Sequence, residues 1–318
     1  MIPQRVVLIG GSGFIGSAIA NRLSAAGMSL LVPTRRRSRA GALLPLPTVE
    51  VVEADVHDPA TLAELVDGAD AVISMVGILH SRPGTPYGPD FARAHVELPQ
   101  KIVAACRTAA VPRLVHISAL GASSDGPSEY QRSKAAGETA IRAAGTDLAW
   151  TILRPSVVFG RGDHFLNLFA GLVARFPILP LAGAGTRFQP VHVEDVAEVM
   201  YQCLLRPEAA GQTYELAGPT VYTLRQLVDY VAALTARPRL VLPLPEGLAM
   251  LQARLMELAP QPLMSRDNVR SMKVDNVAHG APLPFGLQPT AIEAAVPGWL
   301  GPQAARARYT PFRGHARR

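Results

Sequence analysis

Residues 5–26 read RVVLIGGSGFIGSAIANRLSAA. The apolar, partly β-branched run Arg5–Ile9 predicts a strand. Apolar residues at helical spacing from Ser17 predict a helix to Ala26. Between them lie Gly10, Gly11, Gly13 and Gly16. Glycines at this spacing serve a tight turn, the close approach of a pyrophosphate to the backbone, and tight helix–strand packing. The amide end of the following helix, with its dipole, attracts the anion. A strand before and a helix after distinguish the motif from a chance glycine-rich turn. Gly10, Gly13, Phe14, Ile15 and Gly16 are therefore expected to bind a dinucleotide.

The pattern continues outward. Further apolar runs lie at 29–34, 49–53, 70–76, 112–118 and 148–154, separated by amphipathic stretches at 14–26, 59–67, 91–109 and 130–144. Strand–helix alternation predicts βαβ units and an α/β fold, a Rossmann-type doubly wound parallel sheet. Beyond residue 155 prolines become frequent, and helical periods recur at 163–175, 194–205, 223–236, 246–258 and 289–296. The expected division is a dinucleotide-binding domain over 1–155, with 188–220 adding to it. A smaller, mostly helical substrate domain over 156–302 is interleaved with it, and a basic tail follows over 303–318. In the stretch 244–258, Leu248, Leu251, Leu255 and Leu258 share one helical face, which reads first as core.

The 318 residues are 48% hydrophobic and 18% charged, enough to bury a sizeable core. The net charge of +6 rests on arginine, because the only lysines are Lys101, Lys134 and Lys273. A basic balance suits phosphate ligands, nucleic acid or an anionic membrane, and no nucleic-acid-binding signature is present, so no nucleic-acid partner is expected. Cys106 and Cys203 sit singly in apolar contexts, consistent with buried thiols in a reducing compartment. No metal-ligand spacing and no signal-peptide pattern is seen. No uninterrupted apolar run spans a bilayer. The expected location is cytoplasmic or peripheral to the inner face of the membrane, with the five arginines of the tail contacting lipid or a partner.

The second strand ends in Thr34, followed by Arg35-Arg36-Arg37. An NAD binder is expected to place an acid here for the ribose 2′-hydroxyl, whereas arginine suits the 2′-phosphate of NADP. Arg35 and Arg36 thus favour NADP(H) over NAD(H), the alternative being a solvated basic turn. Asp55 and Val56 follow the third strand, where an adenine edge would lie. Val76 and Gly77 follow the fourth, where a small residue lets the cofactor approach.

Tyr130-Gln131-Arg132-Ser133-Lys134 opens the next helix, so Tyr130 and Lys134 share a face. With so few lysines the pair is expected by chance roughly 0.07 times. An ammonium beside a phenol favours the phenolate, so Tyr130 is a candidate acid/base and Lys134 a candidate ribose ligand. The alternative is a surface pair with Lys134 serving only the cofactor. Ser118 ends the fifth strand and is a candidate to polarise a substrate carbonyl, although Ala119 and Leu120 replace the hydroxyls that often follow. Pro155 ends the sixth strand near the expected nicotinamide. Arg154 reads as an ion-pair partner, and His192 as ordering a turn whose Glu194 and Asp195 suit a helix N-terminus.

Taken together, the glycine loop, Tyr130-x-x-x-Lys134, Leu153-Arg154-Pro155 and His192-Val193-Glu194-Asp195-Val196 resemble the extended or atypical short-chain dehydrogenase/reductases, which include nucleotide-sugar epimerases and dehydratases. Ile73–Gly77, Tyr130–Glu138, Val158–Asn167 and Gln189–Val193 are similar to one branch. It holds the Rossmann-fold accessory subunit of respiratory complex I and its bacterial relatives. The resemblance implies tight NADP(H) binding, with a quinone-like or other carbonyl substrate, or a respiratory-complex partner. It implies either an oxidoreductase or a cofactor-stabilised subunit. The chain departs from sugar epimerases at two points: it lacks their Ser/Thr run after the fifth strand, and His95 or a neighbour replaces their usual Asn. A nucleotide-sugar enzyme remains the alternative.

Overall fold

A computed structural model describes residues 3–260 and 262–301; the tail expected at 303–318 lies outside them. Seven strands form one parallel sheet: β1 (Arg5–Ile9), β2 (Ser29–Thr34), β3 (Val49–Glu53), β4 (Ala71–Ser74), β5 (Arg113–Ile117), β6 (Ala149–Pro155) and β7 (Gln212–Leu216). Their spatial order is β7-β6-β5-β4-β1-β2-β3. The chain order reverses between β1 and β4, the switch point at which a crevice opens beyond the carboxyl ends of an α/β sheet.

Alternation along the strands sorts side chains to two faces. Val6 and Leu8 of β1 pack with Ile19 and Leu23 of α1 (Phe14–Ala25). Val7 and Ile9 pack on the other face with Leu62 of α2 (Pro59–Val66) and with Ile102 and Cys106 of α3 (Leu98–Thr108). Burial pushes the Cys106 thiol up to about 12. The stretch expected as one helix over 91–109 divides. A short turn at Pro89–Phe91 leads into a wide, π-type turn at Ala92–Glu97, and α3 begins only at Leu98. Such turns loosen the regular ladder and re-aim side chains; this one directs His95 into the protein interior.

Helix α4 (Glu129–Arg142) precedes β6. The chain then leaves the sheet and builds a second cluster with α5 (Leu166–Arg175). It returns through α6 (Val193–Leu205), which lies against α1, and enters β7. The cluster is completed by α7 (Leu224–Leu234) and a two-stranded parallel ribbon of Ile178–Leu181 with Leu240–Pro243. Two further helices, α8 (Glu246–Met256) and α9 (Arg266–Ser271), pack on each other.

The leucine stripe of 248–258 corrects its first reading as core. The inward side of α8 is Ala249 and Ala253, whereas Leu248, Leu251, Leu255 and Leu258 are 53%, 53%, 61% and 82% exposed. Spacing defines a face but not the side on which the core lies. Here the small alanines admit the close approach of Ala182 and Val269.

Candidate functional site

The glycine loop is built as its glycines require. Gly10 has φ +94°, and a Cβ there would lie 3.1 Å from the backbone of Met75 and Val76. The first strand's end is thus pressed against that of β4. At Gly16 a Cβ would meet the Gly10 carbonyl and Gly11 Cα at 2.6 Å, so this glycine is what lets α1 close on the loop. Gly13 is the exposed N-cap of α1. No side chain caps it, and no acidic residue stands in the first turn. Phe14 and Ile15 are half-buried at that amide end, which is left able to take an anion.

Beyond the loop, Ser12 Oγ lies 3.4 Å from Thr34 Oγ1, which donates to the carbonyl of Arg36. Arg35 and Arg36 are exposed. Neither side chain has a hydrogen bond or ion pair among the described residues. Arg37 is committed elsewhere: its backbone N–H donates to Glu53 and its guanidinium to the Val51 carbonyl. Asp55 is exposed and accepts from the His57 N–H at 3.0 Å. Val56 and Val76 pack partly buried against the core face shared by α2 and α3.

Lys134 is 4% exposed. Among the described residues its ammonium donates only to the Ile117 carbonyl, at 3.4 Å, and a Cβ on Gly77 would lie 3.3 Å from it. Lys134 therefore stands between the ends of β4 and β5. Burial lowers its pKa to about 8. Beside Ile117, the hydroxyl of Ser118 is buried with no partner among the described residues, as is Nε2 of His116. A ligand group is the natural complement for such orphaned polar atoms. Pro155 is buried at the end of β6, its carbonyl accepting from Leu120.

Tyr130 is half-buried one turn before Lys134. The ammonium was expected to favour its phenolate. Instead burial dominates and raises the Tyr130 pKa to about 12, so the phenol holds its proton at neutral pH. The structure does not join the Tyr130 hydroxyl to Ser118 or Lys134 by a hydrogen bond.

The surroundings of Tyr130 were largely invisible in the sequence. The Ile78 N–H donates to His95 Nε2 at 3.0 Å. The His95 proton therefore sits on Nδ1 and is given to Ser133 Oγ at 2.8 Å, which donates to the Tyr130 carbonyl. Burial, with Lys134 nearby, lowers the His95 pKa to about 2, so the ring is neutral. It stacks on Phe91 and meets Tyr130 edge-on. His95 thus clamps the loop after β4 to α4. From the other lobe, Asp267 of α9 accepts the backbone N–H groups of Glu129 and Tyr130 at 2.7 and 3.0 Å. Glu129 in turn accepts from Gly84 and Gly88. A cleft of about 560 Å³ lies between these parts, lined among others by Thr85, Phe91, Glu129, Arg132, Arg266 and Arg270. Tyr130, Ser118 and Lys134 do not line it, but Phe91 links it to Tyr130 at a ring distance of 6.0 Å.

Three motif residues have structural partners. Arg154 forms a two-pronged ion pair with the fully buried Glu138, at 2.7 and 2.6 Å. Asp195 holds the backbone N–H and hydroxyl of Thr290. His192 meets Phe159 at a tilt and stacks with Trp299.

The model of the NAD dependent epimerase/dehydratase family matches residues 6–217. The chain belongs to this family. It is 32% identical over 297 residues to the Rattus norvegicus protein "NADH dehydrogenase [ubiquinone] 1 alpha subcomplex subunit 9, mitochondrial", covering 90% of this chain and 77% of that one. It is 32% identical to a ceramide reductase of Caulobacter vibrioides, over 74% and 72% of the two chains. Among solved structures, a nucleoside-diphosphate-sugar epimerase from Staphylococcus aureus superimposes with a TM-score of 0.73. That match has 15% identity and covers 91% of this chain and 98% of that one. A dTDP-glucose 4,6-dehydratase from Streptomyces venezuelae, solved with NAD bound, gives 0.67 at 22% identity over 76% and 85% of the chains. These structural likenesses establish the fold of this family member. No helix among its described residues is long and apolar enough to cross a membrane.

Proposed function

We propose that this family member is an NADP(H)-dependent reductase of a quinone-like or other carbonyl substrate. The observation that carries the reading is the convergence at the ends of β4 and β5. There the buried, under-bonded Lys134 ammonium lies next to Gly77, one helical turn from Tyr130, and the Ser118 hydroxyl, without a partner among the described residues, follows the end of β5. The glycine loop and the bare amide end of α1 suit the pyrophosphate. Arg35 and Arg36, beside Ser12 and Thr34, suit a 2′-phosphate and support NADP(H) over NAD(H). Asp55 and Val56 suit the adenine, and Pro155 suits the nicotinamide face. Lys134, with donors to spare, suits the nicotinamide ribose.

A reduced nicotinamide, when bound, supplies the hydride. The chain supplies the rest. Ser118 donates a hydrogen bond to the carbonyl oxygen. The Tyr130 phenol gives that oxygen its proton as the carbonyl carbon is reduced, and solvent reprotonates the phenolate. A pKa of about 12 in the ligand-free protein makes Tyr130 an acid in waiting, which favours the reductive direction. Substrate enters between the sheet domain and the part of the helical lobe that carries α8 and α9.

The similarity to a respiratory subunit favours a second reading, in which the nucleotide stabilises a non-catalytic subunit that contacts a respiratory complex at the cytoplasmic face of the membrane. Both readings are tested by following NADPH oxidation with a panel of quinones and ketones. Tyr130→Phe is expected to lower turnover by about 100-fold or more while leaving NADPH binding intact. Equal turnover of Tyr130→Phe would reject the acid. No turnover by the wild type, with NADPH still raising the melting temperature, would leave the subunit reading.

A further inference from the structure

On α8 the exposed Leu248, Leu251 and Leu255 lie within one sector of the helix, Leu258 follows just beyond its end, and the opposite sector is the alanine seam against the lobe. This is the inverse of a helix that completes a core. The adjoining ribbon repeats the pattern. Leu179 and Val241 are buried, whereas Ile178 and Leu242 face solvent beside Pro180 and Leu240. Gln252 of α8 reaches the Pro180 carbonyl, so helix and ribbon form one continuous face. An apolar face of this extent marks an interaction site.

Charge selects the occupant. Arg254 of α8, and Arg175 and Arg237, each three residues before a strand of the ribbon, are exposed and have no ion pair among the described residues. The sequence has no Asp or Glu over 164–193 or over 230–245, the two stretches that supply the ribbon and its flanks. Glu246, at the start of α8, is held by Lys273 at 2.6 Å. Leucines outward with arginines at the margin are the pattern of helices that lie in an anionic lipid interface. A second copy of the chain would oppose arginine to arginine. The chain's own residues 303–318, with five arginines, carry the same sign.

We infer that the outer face of α8 and the Ile178–Leu181/Leu240–Pro243 ribbon docks on an anionic lipid bilayer. This surface is separate from the nucleotide site and does not depend on what Tyr130 does. The cleft lined by Glu257 and Arg266 opens at the C-terminal end of the same helix, so docking would bring its mouth toward the lipid.

The test is flotation of the full chain with phosphatidylcholine vesicles, with and without phosphatidylglycerol. Wild-type protein is expected to float with the anionic vesicles and to be released by high salt. Arg237→Gln with Arg254→Gln lowers the partition roughly 30-fold, at about fivefold per charge. Leu251→Ser with Leu255→Ser lowers it on the order of 100-fold. Both pairs are exposed, so the melting temperature and NADPH response should be unchanged. Should the leucine variant fold poorly, hydrogen exchange of the wild type replaces it, with protection over 246–258 expected only when anionic vesicles are present. Absence of flotation, equal flotation of the variants, or unchanged exchange would overturn the inference. So would a wild-type dimer that the leucine variant converts to monomer, because it would assign the face to a second copy.

Discussion

Gly16→Ala separates the two demands made on the phosphate loop. The added methyl would sit 2.6 Å from the Gly10 carbonyl oxygen and Gly11 Cα. Both are backbone atoms that cannot rotate aside. To reach ordinary contact at 3.4 Å, α1 must move off the loop by about 0.8 Å. Overpacking of this kind costs about 1–3 kcal/mol, a fall of a few degrees in melting temperature. A misplacement near 1 Å at a positioned site weakens its function by about 100-fold, so NADPH affinity should fall by that order. Two other glycines act as controls. At Gly13 the added Cβ meets only the Gly10 carbonyl, at 3.4 Å, and lies on the exposed anion side. Gly13→Ala should therefore lose NADPH affinity with its melting temperature nearly unchanged. Gly171, inside α5, has nothing within 4 Å of its added Cβ. Gly171→Ala should stabilise by about 0.5–1 kcal/mol and leave binding alone. Fluorescence titration with NADPH and thermal melts of the three variants suffice. If Gly16→Ala binds within twofold of wild type, the loop does not hold the nucleotide as argued.

Other consequences follow from buried charge. Burial holds Lys134 near 8 against an ordinary 10.5, so the unfolded chain binds the extra proton between those values. The ligand-free protein therefore gains stability from this group as pH rises from about 8 toward 10.5, and bears the full cost of the buried ammonium below 8. Lys134→Met should melt higher than wild type at pH 7, by about 1–3 kcal/mol, yet lose its NADPH response; a lower melting point would contradict this. Glu138→Gln removes the buried partner of Arg154 and should destabilise by about 3 kcal/mol in urea unfolding. A loss under 1 kcal/mol would mean that water replaces the carboxylate. Asp267→Ala frees two N–H groups at the start of the Tyr130 helix. It should cost about 1 kcal/mol and lower carbonyl turnover more than NADPH affinity, measurable by comparing kcat with the NADPH Kd.

The sheet was legible because each of its first six strands is an apolar run closed by a turn, and the glycine loop carries its meaning locally. The seventh strand, Gln212–Leu216, is half-buried and carries no such run, so only its pairing with β6 defines it. Tyr130 and Lys134 were visible as a helical pair. What surrounds them was not. Asp267 is 137 residues from Tyr130, and no periodicity announces a carboxylate that caps another element's helix. The clamp through His95 depends on the π-type turn at Ala92–Glu97, which a regular helical reading of 91–109 passes over. The direction of the Tyr130 shift depended on how deeply the phenol is buried, a tertiary property. The leucines of α8 failed in the same way, since helical spacing is silent about which side meets the core.

The proposed preference of the nucleotide site for a 2′-phosphate is measured by titrating wild type and Arg35→Asp with NADPH and NADH. The wild type is expected to bind NADPH more tightly than NADH, and the variant to reverse that preference. Failure of the wild type to bind either nucleotide would contradict it.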